Sequence, residues 1–202
     1  PGVPSISIKD YTLTVELDNL DLNASNVQFE IVKNDYKVVF QTAVPIKMGR
    51  AELSVVVDAG GEYKARARSY RDGTWSSWSN YSNSVATKPA ASSGITTCRA
   101  TSETSIFLAW GAVTNATGYD IRYATKREYL DGSNATTTIN DVEESQYLIT
   151  GLETGGEYFF QVRAVNDQGA SAWSGIVSIV IGKPPTAPTT WTSTTTVITG
   201  EQ

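Results

Sequence analysis

The sequence carries one motif twice, at an offset of 95 residues. Gly60-Gly61-Glu62-Tyr63 recurs as Gly155-Gly156-Glu157-Tyr158, and Trp78-Ser79 recurs as Trp173-Ser174. The two copies superpose without a gap between these motifs. A fixed repeat of this length indicates two copies of one domain. Each copy is long enough to bury a hydrophobic core of its own.

Two proline-containing stretches set the predicted boundaries. Lys88-Pro89 closes the first copy, and Lys183-Pro184 closes the second at the same offset. We predict domain one at residues 1–88, domain two at residues 89–184, and a Pro-rich linker with the start of a further domain at residues 185–202. We also expect the chain to be a piece of a longer protein. The linker between the domains is short, so their relative motion should be restricted.

Short runs of alternating apolar and polar residues occur along both copies. Residues 11–17 alternate strictly, and residues 51–57 and 106–110 follow the same pattern. A period of two residues is typical of strands with one buried face. No stretch has the period of a long helix. About seven such runs in each copy predict an all-β fold of two tandem seven-stranded immunoglobulin-like sandwiches.

The composition argues against several functional classes. The chain has no His, so a His-based triad or metal site is excluded. The net charge is −5 and no basic block occurs, which argues against a nucleic-acid partner. No apolar run reaches the roughly 18 residues of a membrane span. The carboxylates fall in predicted turns and outward positions. We therefore predict no enzyme activity, no catalytic residue, no cofactor and no metal.

Three weaker features admit a structural and a functional interpretation. The single cysteine, Cys98, is predicted to be a small buried hydrophobe, and the lack of disulfides favours assembly in the cytoplasm, as for a virion protein. Asp18, Asp21 and Asn23 could bind calcium, although turn capping explains them equally well. Four asparagines begin Asn-x-Ser/Thr triplets, which can be glycosylated or can arise by chance. They are Asn23, Asn80, Asn115 and Asn134.

Domain two carries the markers of a known family. Trp110 lies on the second predicted strand, Leu152 lies six residues before Tyr158, and residues 158–164 alternate inward. These features resemble the fibronectin type III family. The resemblance implies a sandwich with Trp110 and Leu152 in the core. It also implies a tyrosine corner, in which buried Tyr63 and Tyr158 each pin a loop that crosses between the sheets.

Domain one departs from this pattern. Val15 stands in place of the core tryptophan, and Ala65 and Ala67 replace bulkier residues. We therefore expect a core that is either leaner or filled from Phe29 and Tyr11.

A second resemblance concerns the segment Trp75-Ser76-Ser77-Trp78-Ser79, which is similar to the Trp-Ser-x-Trp-Ser signature of class I cytokine receptors. In that family, arginines of the sixth strand stack between the tryptophans. Alternate residues of a strand share a face, so three cations of domain one should lie beside these rings. Domain two keeps a reduced version, with Ala170 in place of the first tryptophan. The predicted ladder comprises Lys64, Arg66, Arg68, Trp75, Trp78, Arg163 and Trp173.

The receptor family itself fits poorly. It carries this motif in its second domain and needs paired cysteines in its first, whereas here the motif is in domain one and the only cysteine is Cys98. The ladder therefore has two interpretations. It either stiffens the last strands, which we favour, or presents an aromatic patch to a sugar or a protein.

The Ser/Thr-rich, disulfide-free tandem arrangement resembles the tandem fibronectin type III domains of tailed-phage (prophage) tail and baseplate proteins. We expect a non-catalytic spacer and display module of a tail or tail-fibre protein, in the virion, with weak contacts to host-surface glycan or protein. The alternative is an accessory pair of a secreted polysaccharide-degrading enzyme or a surface adhesin, which is extracellular. The expected partners are neighbouring domains of a longer chain, without nucleic acid or membrane insertion.

Loop residues are the candidates for any binding. In domain one they are Tyr70, Arg71, Asp72 and Trp75, and in domain two they are Asn166, Asp167 and Gln168. Exposed aromatic rings can stack on sugars, which is the physical basis for the choice.

Overall fold

A computed structural model describes residues 1–21, 23–34, 37–131 and 135–182. The candidate glycosylation residue Asn134 lies outside these ranges. Residues 183–202, with the predicted linker and start of a further domain, lie wholly outside them.

Both domains consist of short antiparallel strands. In domain one the strands are β1 (Ser5–Lys9), β2 (Thr12–Leu17), β3 (Asn26–Lys33), β4 (Lys37–Pro45), β5 (Ala51–Val56), β6 (Glu62–Arg71), β7 (Thr74–Trp75) and β8 (Val85–Ala86). In domain two they are β9 (Ile95–Ser102), β10 (Ser105–Trp110), β11 (Gly118–Ala124), β12 (Thr137–Val142), β13 (Gln146–Ile149), β14 (Glu157–Asn166), β15 (Gly169–Ala170) and β16 (Val177–Val180). A 3₁₀ helix, Arg127–Asp131, follows β11.

Each domain is a sandwich of two sheets. In domain one, β1-β2-β5 packs on β4-β3-β6, and β6 also pairs with β7 and β8. In domain two, β9-β10-β13 packs on β12-β11-β14, and β14 also pairs with β15 and β16. The predicted all-β architecture of tandem immunoglobulin-like sandwiches is therefore confirmed. The boundary between residues 88 and 89 stays a prediction.

The two cores follow the alternation of the sequence. In domain two Trp110 and Leu152 are buried, and the Trp110 ring meets Tyr119 edge-on at 5.4 Å. In domain one Val15 and Phe29 are fully buried. The expectation for Tyr11 was wrong, because this side chain is 38% exposed. It occupies the tight turn between β1 and β2, where the ring points to solvent.

The chain passes through each sandwich from one end to the other. Ser5 pairs with Glu16, at the end where β6 finishes, whereas Ala86 pairs with Glu62, where β6 starts. Domain two repeats this path, because β9 starts beside the end of β14 and β16 finishes beside its beginning. The two sandwiches are therefore connected end to end.

A buried tyrosine holds the turn before the central strand of each domain. The Tyr63 hydroxyl donates to the Asp58 carbonyl at 3.2 Å and accepts from the Asp58 N–H at 3.1 Å. The Tyr158 hydroxyl accepts from the Glu153 N–H at 2.8 Å. Both rings are at least nine-tenths buried. Each hydroxyl therefore satisfies backbone groups of the turn between the sheets.

Removal of either hydroxyl should destabilise its own domain. We expect Tyr63→Phe and Tyr158→Phe each to lower the free energy of unfolding by about 1 kcal/mol, since each loses a hydrogen bond to a partly buried backbone group. Chemical denaturation monitored by tryptophan fluorescence measures this change. Tyr11→Phe, at an exposed turn, is the matched control. Midpoints for the two buried variants equal to that of the control would contradict the assignment.

Candidate functional site

The arginines and aromatic rings of domain one form one continuous stack. The Arg66 guanidinium lies 4.8 Å from the centroids of both Trp78 and Tyr81. The Arg68 guanidinium lies 4.7 Å from Trp78 and 5.0 Å from Trp75. Each cation therefore sits between two ring faces, where cation–π attraction contributes roughly 0.5–2 kcal/mol per contact. We call this stack the ladder.

Two ladder members extend what the sequence indicated. Tyr81, which the motif did not include, is the ring on the far side of Arg66. Tyr70 stacks against Trp75 with ring centroids 4.9 Å apart. The order along the ladder is Tyr81, Arg66, Trp78, Arg68, Trp75 and Tyr70. Lys64 precedes Arg66 on the same face of β6.

Side chains of the neighbouring strand β3 hold the two guanidiniums from below. Arg66 Nε donates to Glu30 Oε1 at 2.7 Å, and Arg68 Nε donates to Gln28 Oε1 at 2.7 Å. Glu30 is buried and also accepts from the Tyr81 hydroxyl at 2.9 Å. A buried carboxylate is tolerated only when it is paired and hydrogen-bonded, and both conditions are met here.

A serine at every third position positions the rings. The hydroxyls of Ser76, Ser79 and Ser82 accept hydrogen bonds from alternate backbone N–H groups of β6 at 3.0–3.1 Å. Each hydroxyl also donates to the carbonyl of the next residue at 2.8–2.9 Å. The backbone N–H groups of the same serines donate to β6 carbonyls at 2.8–2.9 Å, so the hydroxyls replace only the carbonyl acceptors of a regular strand along this edge of β6.

The same three-residue spacing places the aromatic residues. Trp75, Trp78 and Tyr81 each precede one of these serines, so all three rings fall on one side of the segment. The aromatic-Ser-x repeat over residues 75–83 was the signal in the sequence that could have identified Tyr81.

Domain two builds a shorter ladder with a different strand assignment. The Trp173 ring lies between Arg163, at 4.5 Å, and Arg122, at 4.4 Å. Arg163 pairs with buried Asp120 at 2.8 Å, and Arg122 Nη2 donates to Gln161 at 2.8 Å. Burial, and then the charge of Arg163, lower the pKa of Arg122.

Arg122 is a ladder residue that sequence reasoning missed. In domain one the second cation, Arg66, is on β6 opposite Glu30 of β3. In domain two the corresponding cation is on β11, opposite Gln161 of β14. The cation has changed strands while its position in space is kept. Only cross-strand register reveals such an exchange.

The same kind of serine contact recurs twice in domain two. The hydroxyls of Ser171 and Ser174 accept from the N–H groups of Ala164 and Val162, both at 3.1 Å. Ala170 stands where domain one has its first tryptophan, so this ladder has no outer ring at that end.

Loss of one of these serine hydroxyls should destabilise the domain whose central strand it contacts. We expect Ser79→Ala and Ser174→Ala each to lower the free energy of unfolding by about 1–2 kcal/mol, because a β6 or β14 N–H loses its acceptor. Ser77→Ala, at the exposed position after Ser76, should change the free energy of unfolding by less than about 0.5 kcal/mol. Urea denaturation of the three variants gives the comparison. Equal midpoints would show that the hydroxyls are not structural.

The predicted binding residues of domain one lie together at one end of the sandwich. Tyr70 and Trp75 are stacked on each other, and Arg71 pairs with Asp21 at 2.8 Å and with Asp72 at 3.3 Å. The N–H of Asn23, and then Arg71, lower the pKa of Asp21. A shallow cleft of about 320 Å³ lies between the Asp21 loop and the β6–β7 hairpin.

The residues considered for calcium do not converge. Asp18 pairs with Arg50 at 3.7 Å, whereas Asp21 pairs with Arg71. No group of three or more metal-ligating side chains occurs in the described part of the chain. Cys98 is half-buried, and burial raises the pKa of its thiol.

The predicted binding residue Asn166 of domain two belongs to a contact between the domains. Its amide Nδ2 donates to the carbonyls of Thr87 and Asn115, both at 3.0 Å. Asn115 Nδ2 in turn donates to the Gly60 carbonyl at 3.0 Å. Asp167 and Gln168 stay exposed beside it. The sidechain amide of Asn115, one of the four candidate glycosylation sites, is thus engaged with domain one.

Close backbone approach completes this contact. A Cβ on Gly60, whose φ is +68°, would lie 3.3 Å from Ala90 N. A Cβ on Gly169 would lie 3.1 Å from Cε of Lys88. Gly60 is therefore constrained by close backbone approach as well as by its positive φ. Gly169 is constrained by its φ of +123°, since the atom near it belongs to the flexible Lys88 side chain. We call the contact formed by residues 58–61, 87–90, 113–116 and 166–169 the joint.

Among the described residues, no helix is long and apolar enough to span a membrane.

Parts of this chain are similar to known proteins. Residues 91–180 match the family model of the fibronectin type III domain. A Kelch domain-containing protein of Saccharolobus solfataricus is 32% identical over 84 residues, which are 42% of this chain and 11% of that protein. The chain therefore spans about a tenth of the length of this curated relative. The FN1–FN3 domains of chicken CNTN1 match 90% of this chain and 67% of that chain, with 16% identity and a TM-score of 0.43.

Proposed function

We propose that this chain, whose residues 91–180 match the fibronectin type III domain, is a non-catalytic spacer and display module of a longer protein. The observation that carries the proposal is the end-to-end path of the chain. The chain enters domain one at one end of the sandwich and leaves it at the opposite end, where the joint connects it to domain two. A module of this kind sets the distance and direction between the segments attached at its two ends.

The ladder and the joint supply the stiffness that a spacer needs. The ladder ties the last segment of each sandwich to its central strand through stacked cations. The joint adds hydrogen bonds between the domains to a short, Pro-containing linker. A linker with such contacts transmits orientation, unlike a flexible one.

For the setting of this spacer, we propose the tail or tail fibre of a tailed phage, with the module in the virion. The Ser/Thr-rich, disulfide-free tandem arrangement supports this choice. The alternative is an accessory pair in a secreted polysaccharide-degrading enzyme or a surface adhesin. The match to a small part of a much longer archaeal protein favours an accessory role in a large multidomain chain without indicating which one. The flanking sequence would distinguish the two settings.

The spacer role predicts one preferred orientation of the two domains. Spin labels at Ser7→Cys and Thr150→Cys, with Cys98→Ser, should give one narrow distance distribution by electron–electron double resonance. The double variant Asn115→Ala, Asn166→Ala should broaden it, because the joint loses its side-chain donors. Asn80→Ala, at an exposed asparagine outside the joint, is the control. A broad distance distribution in the spin-labelled chain that keeps Asn115 and Asn166 would contradict the spacer role.

The display role predicts weak recognition through the cleft beside the β6–β7 hairpin. We expect retention of the chain on a glycan array or on bacterial cells to be weak and to need many copies, since avidity compensates for low single-site affinity. Arg71→Ala should abolish any such retention, whereas Asp167→Ala in the corresponding hairpin of domain two should not. No retention even on multivalent presentation would leave the spacer role without a display function.

A further inference from the structure

One lateral edge of domain one exposes apolar side chains along a long strand. Among the described residues, β4 pairs with β3 alone, so its other side offers unpaired backbone N–H and C=O groups. No charged residue lies between Lys37 and Pro45. Val38, Val39 and Phe40 are 48%, 42% and 39% exposed. A long, uncharged and apolar edge of this kind is a template on which a further strand can pair.

The equivalent edge of domain two is protected. There β12 is the outer strand beside β11, as β4 is the outer strand beside β3. It carries exposed Asp141, and exposed Glu143 and Glu144 follow it directly. Its apolar residues Ile139 and Val142 are half-buried and buried. Charges at an edge are a usual means of preventing a further strand from pairing, so the open edge is particular to domain one.

A groove lies between β4 and β5, which is an edge strand of the other sheet of domain one. Its volume is about 160 Å³. That is close to the roughly 150 Å³ of an apolar cavity that binds benzene. The groove can therefore accept one large apolar side chain of a partner. It is lined by Val39, Phe40, Val55, Val56, Val57, Asp58 and Tyr63.

A β-bulge allows two consecutive side chains of β4 to line this groove. Neighbouring residues of a regular strand point to opposite faces of the sheet. Val32 pairs with Val38 and Ile31 pairs with Phe40, which leaves Val39 as the extra residue of β4. Val39 and Phe40 can therefore both lie beside the groove, since a bulge redirects a side chain in this way.

Lysines flank the uncharged stretch on both sides. Lys37 is the first residue of β4, Lys47 lies two residues after its end, and both side chains are exposed. Neither lysine forms an ion pair with another described residue, whereas nearby Lys33 pairs with Asp58 at 3.2 Å. A partner strand with carboxylates at its two ends would therefore be complementary in charge to this edge.

We propose that the outer edge of β4 docks an extended segment of a partner protein. The segment adds a strand to the sheet β4-β3-β6 through backbone hydrogen bonds, and it places one apolar side chain in the groove. Its central residues are uncharged, and carboxylates on both sides of them meet Lys37 and Lys47. This inference goes beyond the spacer role, because it concerns the side of domain one and not the path of the chain from one end to the other.

A second copy of β4 is a poorer occupant than such a segment. In an antiparallel pair of β4 strands, Lys37 of one copy would approach the end of β4 that Lys47 follows in the other copy. In a parallel pair, Lys37 would approach its own equivalent. Like charges on paired strands are unfavourable in both arrangements. Pro45 also lacks the N–H that a pairing strand would need near that end.

Amide hydrogen exchange of the whole chain in the presence of a synthetic peptide tests the proposal. The peptide has alternating threonine and valine residues between aspartates at both ends, and a second peptide has lysines in place of the aspartates. The aspartate-flanked peptide should slow exchange of the β4 amides that do not pair with β3, because they acquire acceptors. The amides of β12 should exchange as before.

A reversal of charge separates strand addition from non-specific binding. Lys37→Glu should weaken binding of the aspartate-flanked peptide about two- to fivefold, which is the range for one exposed ion pair. The same variant should strengthen binding of the lysine-flanked peptide. Lys9→Glu, at an exposed lysine of the distant edge strand β1, should change the affinity for neither peptide.

Two further variants test the groove. Val39→Lys and Val56→Lys each place a cation beside its apolar wall, and each should weaken binding of the aspartate-flanked peptide about three- to tenfold. Val56 is 83% exposed, so this variant keeps the fold even where Val39→Lys does not. Leu148→Lys, at a half-exposed apolar residue of the edge strand β13, is the control.

Three outcomes would overturn the proposal. The first is unchanged exchange of the β4 amides with the aspartate-flanked peptide at about 1 mM. The second is equal binding of the two peptides both before and after Lys37→Glu. The third is slowed exchange of the β4 amides when the chain is concentrated without peptide, which would identify a second copy as the occupant. All three leave the spacer role intact, since that role depends on the joint.

Discussion

A guanidinium that stacks on a tryptophan ring and is anchored by a side-chain oxygen of the neighbouring strand is the interaction on which each sandwich depends. Arg66 in domain one and Arg163 in domain two each combine a carboxylate partner, buried Glu30 or Asp120, with a stacked tryptophan. Neither half is sufficient alone, because a buried carboxylate needs its cation and a half-buried cation needs compensation for lost hydration. The stack therefore fastens the last segment of each domain over the outer face of its central strand.

The serines spaced three residues apart make that arrangement possible. A regular strand beside β6 would alternate its side chains between two faces. Aromatic residues three positions apart would then point to opposite faces, and they could not all reach one row of cations. Ser76, Ser79 and Ser82 instead accept from the β6 N–H groups with their hydroxyls and donate to the β6 carbonyls with their backbone N–H groups. The segment therefore advances three residues for every two of β6. Domain two uses the same device with fewer rings, since Ala170 removes the outer stack.

The joint follows a different physical rule. Asn115 and Asn166 donate from side chains to backbone carbonyls of Gly60 and Thr87, so the contact between the domains does not depend on a large apolar patch. Directional hydrogen bonds to fixed backbone groups specify an orientation more sharply than apolar area does. Glycine at position 60 allows the backbones of the two domains to approach each other. Orientation in this pair of domains is thus set by loops, although each loop is rigidly held by its own sandwich.

The sequence by itself determined the features that depend on local periodicity. The offset between Tyr63 and Tyr158 indicated two copies, and alternation placed Trp110 and Phe29 in the cores. The resemblance to the fibronectin type III family added Leu152. Tertiary structure alone decided the features that depend on register between strands. Arg122 joined the ladder because β11 places it opposite Gln161, and Tyr11 stayed outside the core because a tight turn carries it. The joint depended on the meeting of four separate segments. A repeating pattern along one strand fixes which face a residue occupies, but its neighbours on that face come from strands distant in sequence.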